Sequence, residues 1–185
     1  VKRYEEETNL RCQLVLDCSG SMWYPSEVSP DGPELNKLKF AIHSCAALIE
    51  LFRRQRDAVG LSVFADQLES HIPAKSSGAH MRMIYHELEM LLDEVGEQRK
   101  GTSTVEALHQ IAEASLRRSL VIVFSDLLDR GGDIDELMAA LQHLRHNKHE
   151  VVLFHVLENA TEMDFNFQDR PTIFEDLETG EELRL

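Results

Sequence analysis

Five oxygen-bearing side chains stand out by type and spacing. Three lie in LVLDCSGSMW, where an apolar run ends in Asp17 and Ser19 and Ser21 follow at alternate positions around Gly20. The fourth, Thr102, lies in Gly101-Thr102-Ser103-Thr104, and the fifth, Asp126, closes the apolar run SLVIVFSD. Carboxylates and hydroxyls without imidazole or thiolate are hard donors, which suit Mg2+ or Mn2+ rather than zinc. Mg2+ keeps several waters in its octahedral shell, so a few protein oxygens suffice to hold it. Alternate spacing on a tight turn lets Ser19 and Ser21 face one point, and Gly20 lets the backbone bend there. Each piece alone also reads as a capped turn, since Asp and Ser favour turns; together they argue for a site.

Such residues act together only if the fold gathers them. CQLVLD (12–17), AVGLSVF (58–64), SLVIVFSD (119–126) and EVVLFHVL (150–157) are short, nearly continuous apolar runs, as expected of strands buried on both faces. A turn at Ala65-Asp66-Gln67 leads to a short antiparallel partner over 68–72. Apolar residues at 38, 41, 42, 45, 48, 49 and 52 have helical spacing, as do those at 81, 84, 88, 91, 92 and 95. Ser103 and Glu106 form a capping box for a third helix, and Asp133 with Glu136 precede a fourth over 137–144. Two short strands flank Glu178-Thr179-Gly180 at the end. This alternation predicts an α/β fold, a mostly parallel sheet with one short antiparallel edge strand and helices on both faces. Ligands bind such sheets at the carboxyl ends of the strands, where Asp17 and Asp126 both fall.

The length of 185 residues, without repeats or a convincing linker, fits one domain over 1–185. No run of about eighteen apolar residues marks a membrane span. A net charge of −14 repels nucleic acid and anionic lipid and favours a basic partner or a divalent cation. Cys12, Cys18 and Cys45 are odd in number and lack CxxC spacing, which suggests a reducing, cytoplasmic setting. The chain begins without Met, and a preceding region is expected.

The pattern Asp17-x-Ser19-x-Ser21, then Thr102, then Asp126, resembles the metal-ion-dependent adhesion site of von Willebrand factor A-type domains, which have a Rossmann-like fold. VKRYEEETNL, RDAVGLSVF, KGTST, FSDLLD and FEDLETGE are similar to one bacterial subfamily, the MoxR-associated domain-of-unknown-function family 58. The resemblance implies that Ser19 and Ser21 ligate the metal directly. It implies that Thr102 ligates directly or through water, and that Asp17 and Asp126 act through water and hydrogen bonds. Thr104 is a rival to Thr102, which is preferred because it directly follows Gly101. One coordination position is left for a carboxylate from a protein partner. The resemblance further implies an adaptor or co-chaperone working with a MoxR-type AAA+ ATPase, and an upstream region, with membrane segments in some members.

Two other functions compete with a binding module. One is metal-dependent phosphoryl transfer with Asp17 as nucleophile, although Ser19 stands where such an enzyme wants an acid and no lysine is evidently placed. The other is a scaffold with a vestigial metal site. Trp23 and Tyr24 serve either as partner anchors or as packing over the first helix. His143, His146 and His149, spaced by three, read as a solvated helix end rather than a second metal site. His155 reads as a hydrogen-bonded core histidine.

Overall fold

The computed structural model describes residues 10–25, 35–65, 67–93, 104–115, 118–128, 134–166, 173–175 and 182–184. The apolar runs form β1 (Arg11–Asp17), β2 (Ala58–Phe64), β3 (Leu68–Lys75), β4 (Leu120–Ser125) and β5 (Glu150–His155). They make one sheet in the order β3-β2-β1-β4-β5. β1 is parallel to β2 and β4, and β4 to β5, while β3 closes the β2 edge antiparallel. This is the expected Rossmann-like α/β arrangement. β6 (Ile173–Glu175) and β7 (Glu182–Arg184) pair as a separate antiparallel ribbon, with the turn expected at 178–180 outside the described residues.

The helices are α1 (Lys37–Gln55), α2 (Gly78–Asp93), α3 (Thr104–Ala114) and α4 (Ile134–His146). Alternation along the strands divides the core in two. Leu14, Leu16, Ile122 and Phe124 join a cluster with Ile42, Cys45 and Ile49 of α1 and Ile84 and Leu88 of α2. Val15, Val121 and Val123 join Leu108 and Ile111 of α3 and Ala140 and Leu144 of α4. Each central strand is therefore buried on both faces, which is why it reads as a nearly continuous apolar run; two buried polar exceptions, Gln13 of β1 and Ser62 of β2, bond one another at 2.9 Å. Asn36 caps α1 by accepting the Lys39 N–H at 2.8 Å, and Arg56, at φ 62, ends it in the left-handed conformation. Among the described residues no helix is long and apolar enough to cross a membrane.

Several expectations need correction. α1, α4 and β3 each extend beyond the residues that marked them: α1 takes in Lys37 and residues 53–55, α4 takes in residues 134–136 and 145–146, and β3 runs on through Pro73, Ala74 and Lys75. EVVLFHVL is not buried on both faces. Among the described residues β5 has a strand neighbour on one side only, and Val152 and Phe154 remain 41% and 44% exposed. Phe154 instead stacks on buried Phe124, with ring centroids 4.8 Å apart. His155, at the end of this edge strand, is exposed rather than a core residue, although its Nε2 lies 3.0 Å from the Asp126 carbonyl. His149 is buried, not solvated. Its Nδ1 accepts the Ser119 N–H at 3.2 Å, tying the chain after α4 to the start of β4. His143 pairs with His109 across α3 and α4, Nδ1 to Nδ1 at 2.8 Å. Of the capping boxes, Ser103 and Asp133 lie outside the described residues.

Gly60 marks the tightest approach in the sheet. A Cβ there would sit 2.5 Å from the Ile72 carbonyl oxygen and 2.7 Å from the Ala74 nitrogen, and would collide with the Gln13 amide. Backbone on a paired strand cannot step aside. Gly60→Ala should destabilise the fold by about 1–3 kcal/mol or more, read as a lower urea midpoint at unchanged slope. An unmoved midpoint would mean that β3 yields freely.

Candidate metal centre

β1 and β4 are paired in register through Leu16 and Phe124. One step further along each strand lie Asp17 and Ser125, and then Asp126, so the pairing itself brings both carboxylates to the same rim. Both are buried, 0% and 1% exposed. Asp17 Oδ1 accepts the Ser19 N–H at 2.9 Å and Oδ2 accepts the Ser125 hydroxyl at 2.6 Å. Asp126 Oδ1 accepts the Leu128 N–H at 3.2 Å and Oδ2 accepts Lys37 Nζ at 2.8 Å. All four carboxylate oxygens are therefore engaged as acceptors. The Ser125 hydroxyl also accepts the Leu127 N–H at 2.9 Å. Leu127 has φ 58, a left-handed conformation that costs a non-glycine residue about 1–3 kcal/mol. The hydrogen bonds to Leu127 and Leu128 hold it there.

After Asp17 the chain enters a 3₁₀ turn, Gly20–Trp23. The turn brings the buried Ser19 and Ser21 hydroxyls to 3.2 Å of one another. Oxygens 2.0–2.1 Å from Mg2+ stand about 3 Å apart along an octahedral edge, so this pair has the separation of two adjacent ligands. Among the described residues no three of His, Cys, Asp and Glu form a metal-holding group. The Ser19 and Ser21 hydroxyls together with the Asp17 and Asp126 carboxylates are a donor set that fits a hard, hydrated divalent ion.

Thr102 lies outside the described residues. Its rival Thr104 opens α3, and its buried Oγ1 has no hydrogen-bond partner among the described residues. α3 ends at Ala114, shortly before β4 begins at Leu120, so the first residue of α3 lies toward the carboxyl ends of the strands. An orphan hydroxyl there calls for a donor, a water or an ion. Trp23 and Tyr24 are both half-buried. Trp23 packs against the α1 side of the core, and its Nε1 has no hydrogen-bond partner among the described residues. Tyr24 Oη is 2.7 Å from Thr161 Oγ1.

Sequence reasoning missed three members of the site. Ser125 was hidden as one polar residue at the end of an apolar run. Lys37 is the first residue of α1, where a cation opposes the helix dipole; that misplacement is itself a signal of an acidic partner. Its ammonium is 2.8 Å from Asp126 and 2.6 Å from Glu162, with 2% of the side chain exposed. Glu162 lies in the π-helical turn Asn159–Met163 after β5, and nothing in its local sequence announces the contact.

A family model described as protein of unknown function DUF58 matches residues 1–185. No curated protein matches the chain. Among solved structures, an aerotolerance-related membrane protein from Bacteroides fragilis NCTC 9343 is similar at 19% identity and TM-score 0.64, over 95% of this chain and 81% of that one. The conserved hypothetical protein BatB from Bacteroides thetaiotaomicron is similar at 21% identity and TM-score 0.54, over 78% of this chain and 65% of that one. Proximal thread matrix protein 1 from the mussel byssus shares 14% identity at TM-score 0.54, over 78% of this chain and 37% of its own length. At these identities the likeness is one of fold.

Burial, and then the neighbouring Asp126 charge, push the Asp17 carboxyl up to about 7, against hydrogen bonds from Ser125 and Ser19 that lower it. An acid whose pKa rises on folding stabilises the fold while protonated. That contribution is complete below the unfolded value near 3.8 and is lost as pH climbs through about 7. In chelator, thermal stability should therefore decline between pH 5 and pH 8, and Asp17→Asn should flatten the decline. A wild-type profile that is flat, or rises, would contradict this.

Proposed function

The chain belongs to the DUF58 family, and from that footing we propose that it is a von Willebrand factor A-type binding module. In this reading it is not an enzyme, and it recognises a protein partner through a bound Mg2+ or Mn2+. Ser19 and Ser21 hold the ion directly, Thr102 completes the set, and Asp17 and Asp126 act through water. The observation that carries the reading is the serine hydroxyl pair, 3.2 Å apart, set against two buried carboxylates whose oxygens are already engaged. An ion whose direct ligands are mostly neutral keeps its charge uncompensated. It therefore attracts an incoming Asp or Glu carboxylate, which is what the ion contributes when bound. The protein's own part is to orient the two hydroxyls and to keep both carboxylates from closing on the ion.

The partner class that suits this chemistry, by the resemblance of the family motifs, is a MoxR-type AAA+ ATPase, with the chain as a cytoplasmic adaptor or co-chaperone. Trp23 and Tyr24, half-buried beside the serine loop, and Leu128, 50% exposed just past Asp126, border the rim and offer apolar contact around a central carboxylate.

One observation favours phosphoryl transfer instead: a lysine does stand at the rim, 2.8 Å from Asp126. Against it, Asp17 is fully buried, and both its oxygens accept hydrogen bonds that lower their nucleophilicity.

Calorimetry of this chain against a cognate MoxR-type ATPase should show binding in Mg2+ that weakens at least tenfold in EDTA or in Ser19→Ala. Leu128→Glu should weaken the same complex while leaving Mg2+-induced thermal stabilisation intact. Binding indifferent to both chelator and Ser19→Ala would remove the metal from recognition. Turnover of a phosphatase substrate, abolished in Asp17→Asn, would restore the enzyme.

A further inference from the structure

Lys37 joins three parts of the chain. Its backbone N–H donates to the Tyr24 carbonyl at 3.1 Å, fixing the start of α1 beside the serine loop. Its ammonium lies between Asp126 at the end of β4 and Glu162 after β5, at 2.8 and 2.6 Å, and 5.8 Å from the centre of the Tyr24 ring. With 2% of the side chain exposed, against 0% for Asp126 and 22% for Glu162, this charge cannot turn away to water. Glu162 is held in turn by the Glu158 N–H at 2.7 Å, and the Tyr24 to Thr161 hydrogen bond pins the same turn to the serine loop.

Asp126 therefore meets a cation before any ion arrives. We propose that Lys37 is a resident cation of the metal centre, which spends part of the Asp126 charge and so lowers the affinity for a divalent ion. Glu162 sets how much of the ammonium Asp126 receives. This rests on the reading of the rim as a metal centre. The physical basis is short-range Coulomb repulsion: a tethered positive charge one carboxylate away from a divalent ion opposes its binding, and interior screening is weak. The consequence is a centre that binds its ion weakly alone and more strongly once a partner carboxylate adds negative charge. Metal and partner then favour one another reciprocally.

The inference predicts opposite signs for two variants. Lys37→Met frees Asp126 and should tighten Mg2+ and Mn2+ binding tenfold or more. Glu162→Gln removes the competitor for the ammonium and should weaken binding severalfold. The measurement is titration of the whole chain with MgCl2 by calorimetry and with MnCl2 by electron paramagnetic resonance of the free ion. Melting curves in chelator, run alongside, show whether each variant is folded. A clamp with only a structural role would leave both dissociation constants unchanged or weaken both. Folded Lys37→Met with wild-type or weaker affinity overturns the inference while wild-type binding keeps the metal centre. Should Lys37→Met fail to fold, Glu162→Gln decides alone, and unchanged or tighter binding there overturns it. If wild type binds neither ion but Lys37→Met does, the ammonium has taken the ion's place, which is the inference at its limit. Binding in neither protein overturns both it and the metal centre.

Discussion

Two carboxylates buried side by side at the ends of β1 and β4 are the constraint around which the rim is organised. A buried ionised group costs several kcal/mol after relaxation, and two like charges close together add their repulsion. Hydrogen bonds to charged groups each return about 1.5–3 kcal/mol. The donors gathered here are two backbone amides, from Ser19 and Leu128, together with the Ser125 hydroxyl and the Lys37 ammonium. They offset desolvation but only the ammonium offsets net charge. Among the described residues, Asp126 and Glu162, joined by Asp17 once it ionises, outnumber that cation, so the site can accept more positive charge.

The same constraint explains local features that look unrelated. Leu127 is held in a left-handed conformation because the Leu127 and Leu128 amides must point back at Ser125 and Asp126. α1 starts with a lysine against its dipole because Asp126 needs the ammonium more than the helix start resists it. The π-helical turn after β5 is tied down by Glu162 and Thr161 to Lys37 and Tyr24. Serine loop, helix start, strand end and turn form one connected polar network, in which moving any member disturbs the others.

Much of this could be read before the structure. β1 and β4 announced themselves because a strand covered by helices on both faces is apolar at nearly every position, and Asp17 and Asp126 stood out at their ends for the same reason. What failed was position in the sheet. EVVLFHVL has the composition of a central strand, yet sheet order makes it an edge, and no local pattern encodes sheet order. His149 was misjudged because helical spacing placed it with His143 and His146 on a solvated end. The chain instead turns inward after α4, so that the imidazole can accept the Ser119 amide. Lys37 and Glu162 escaped because their contacts span 89 and 125 residues of sequence; periodicity and motif spacing report only short-range order.

The division between hydroxyls and carboxylates bears on what such a rim can do. If Asp17 and Asp126 turned their oxygens outward, they would neutralise a divalent ion, and a further carboxylate would gain little by joining. In the proposed reading, hydrogen bonds from Ser19, Ser125, Leu128 and Lys37 hold those oxygens in place and disfavour such a turn. The carboxylates then contribute field rather than bonds, drawing a cation to the rim without saturating it. In the proposed reading the strength of adhesion is thus decided within the fold, by hydrogen bonds that never touch the partner.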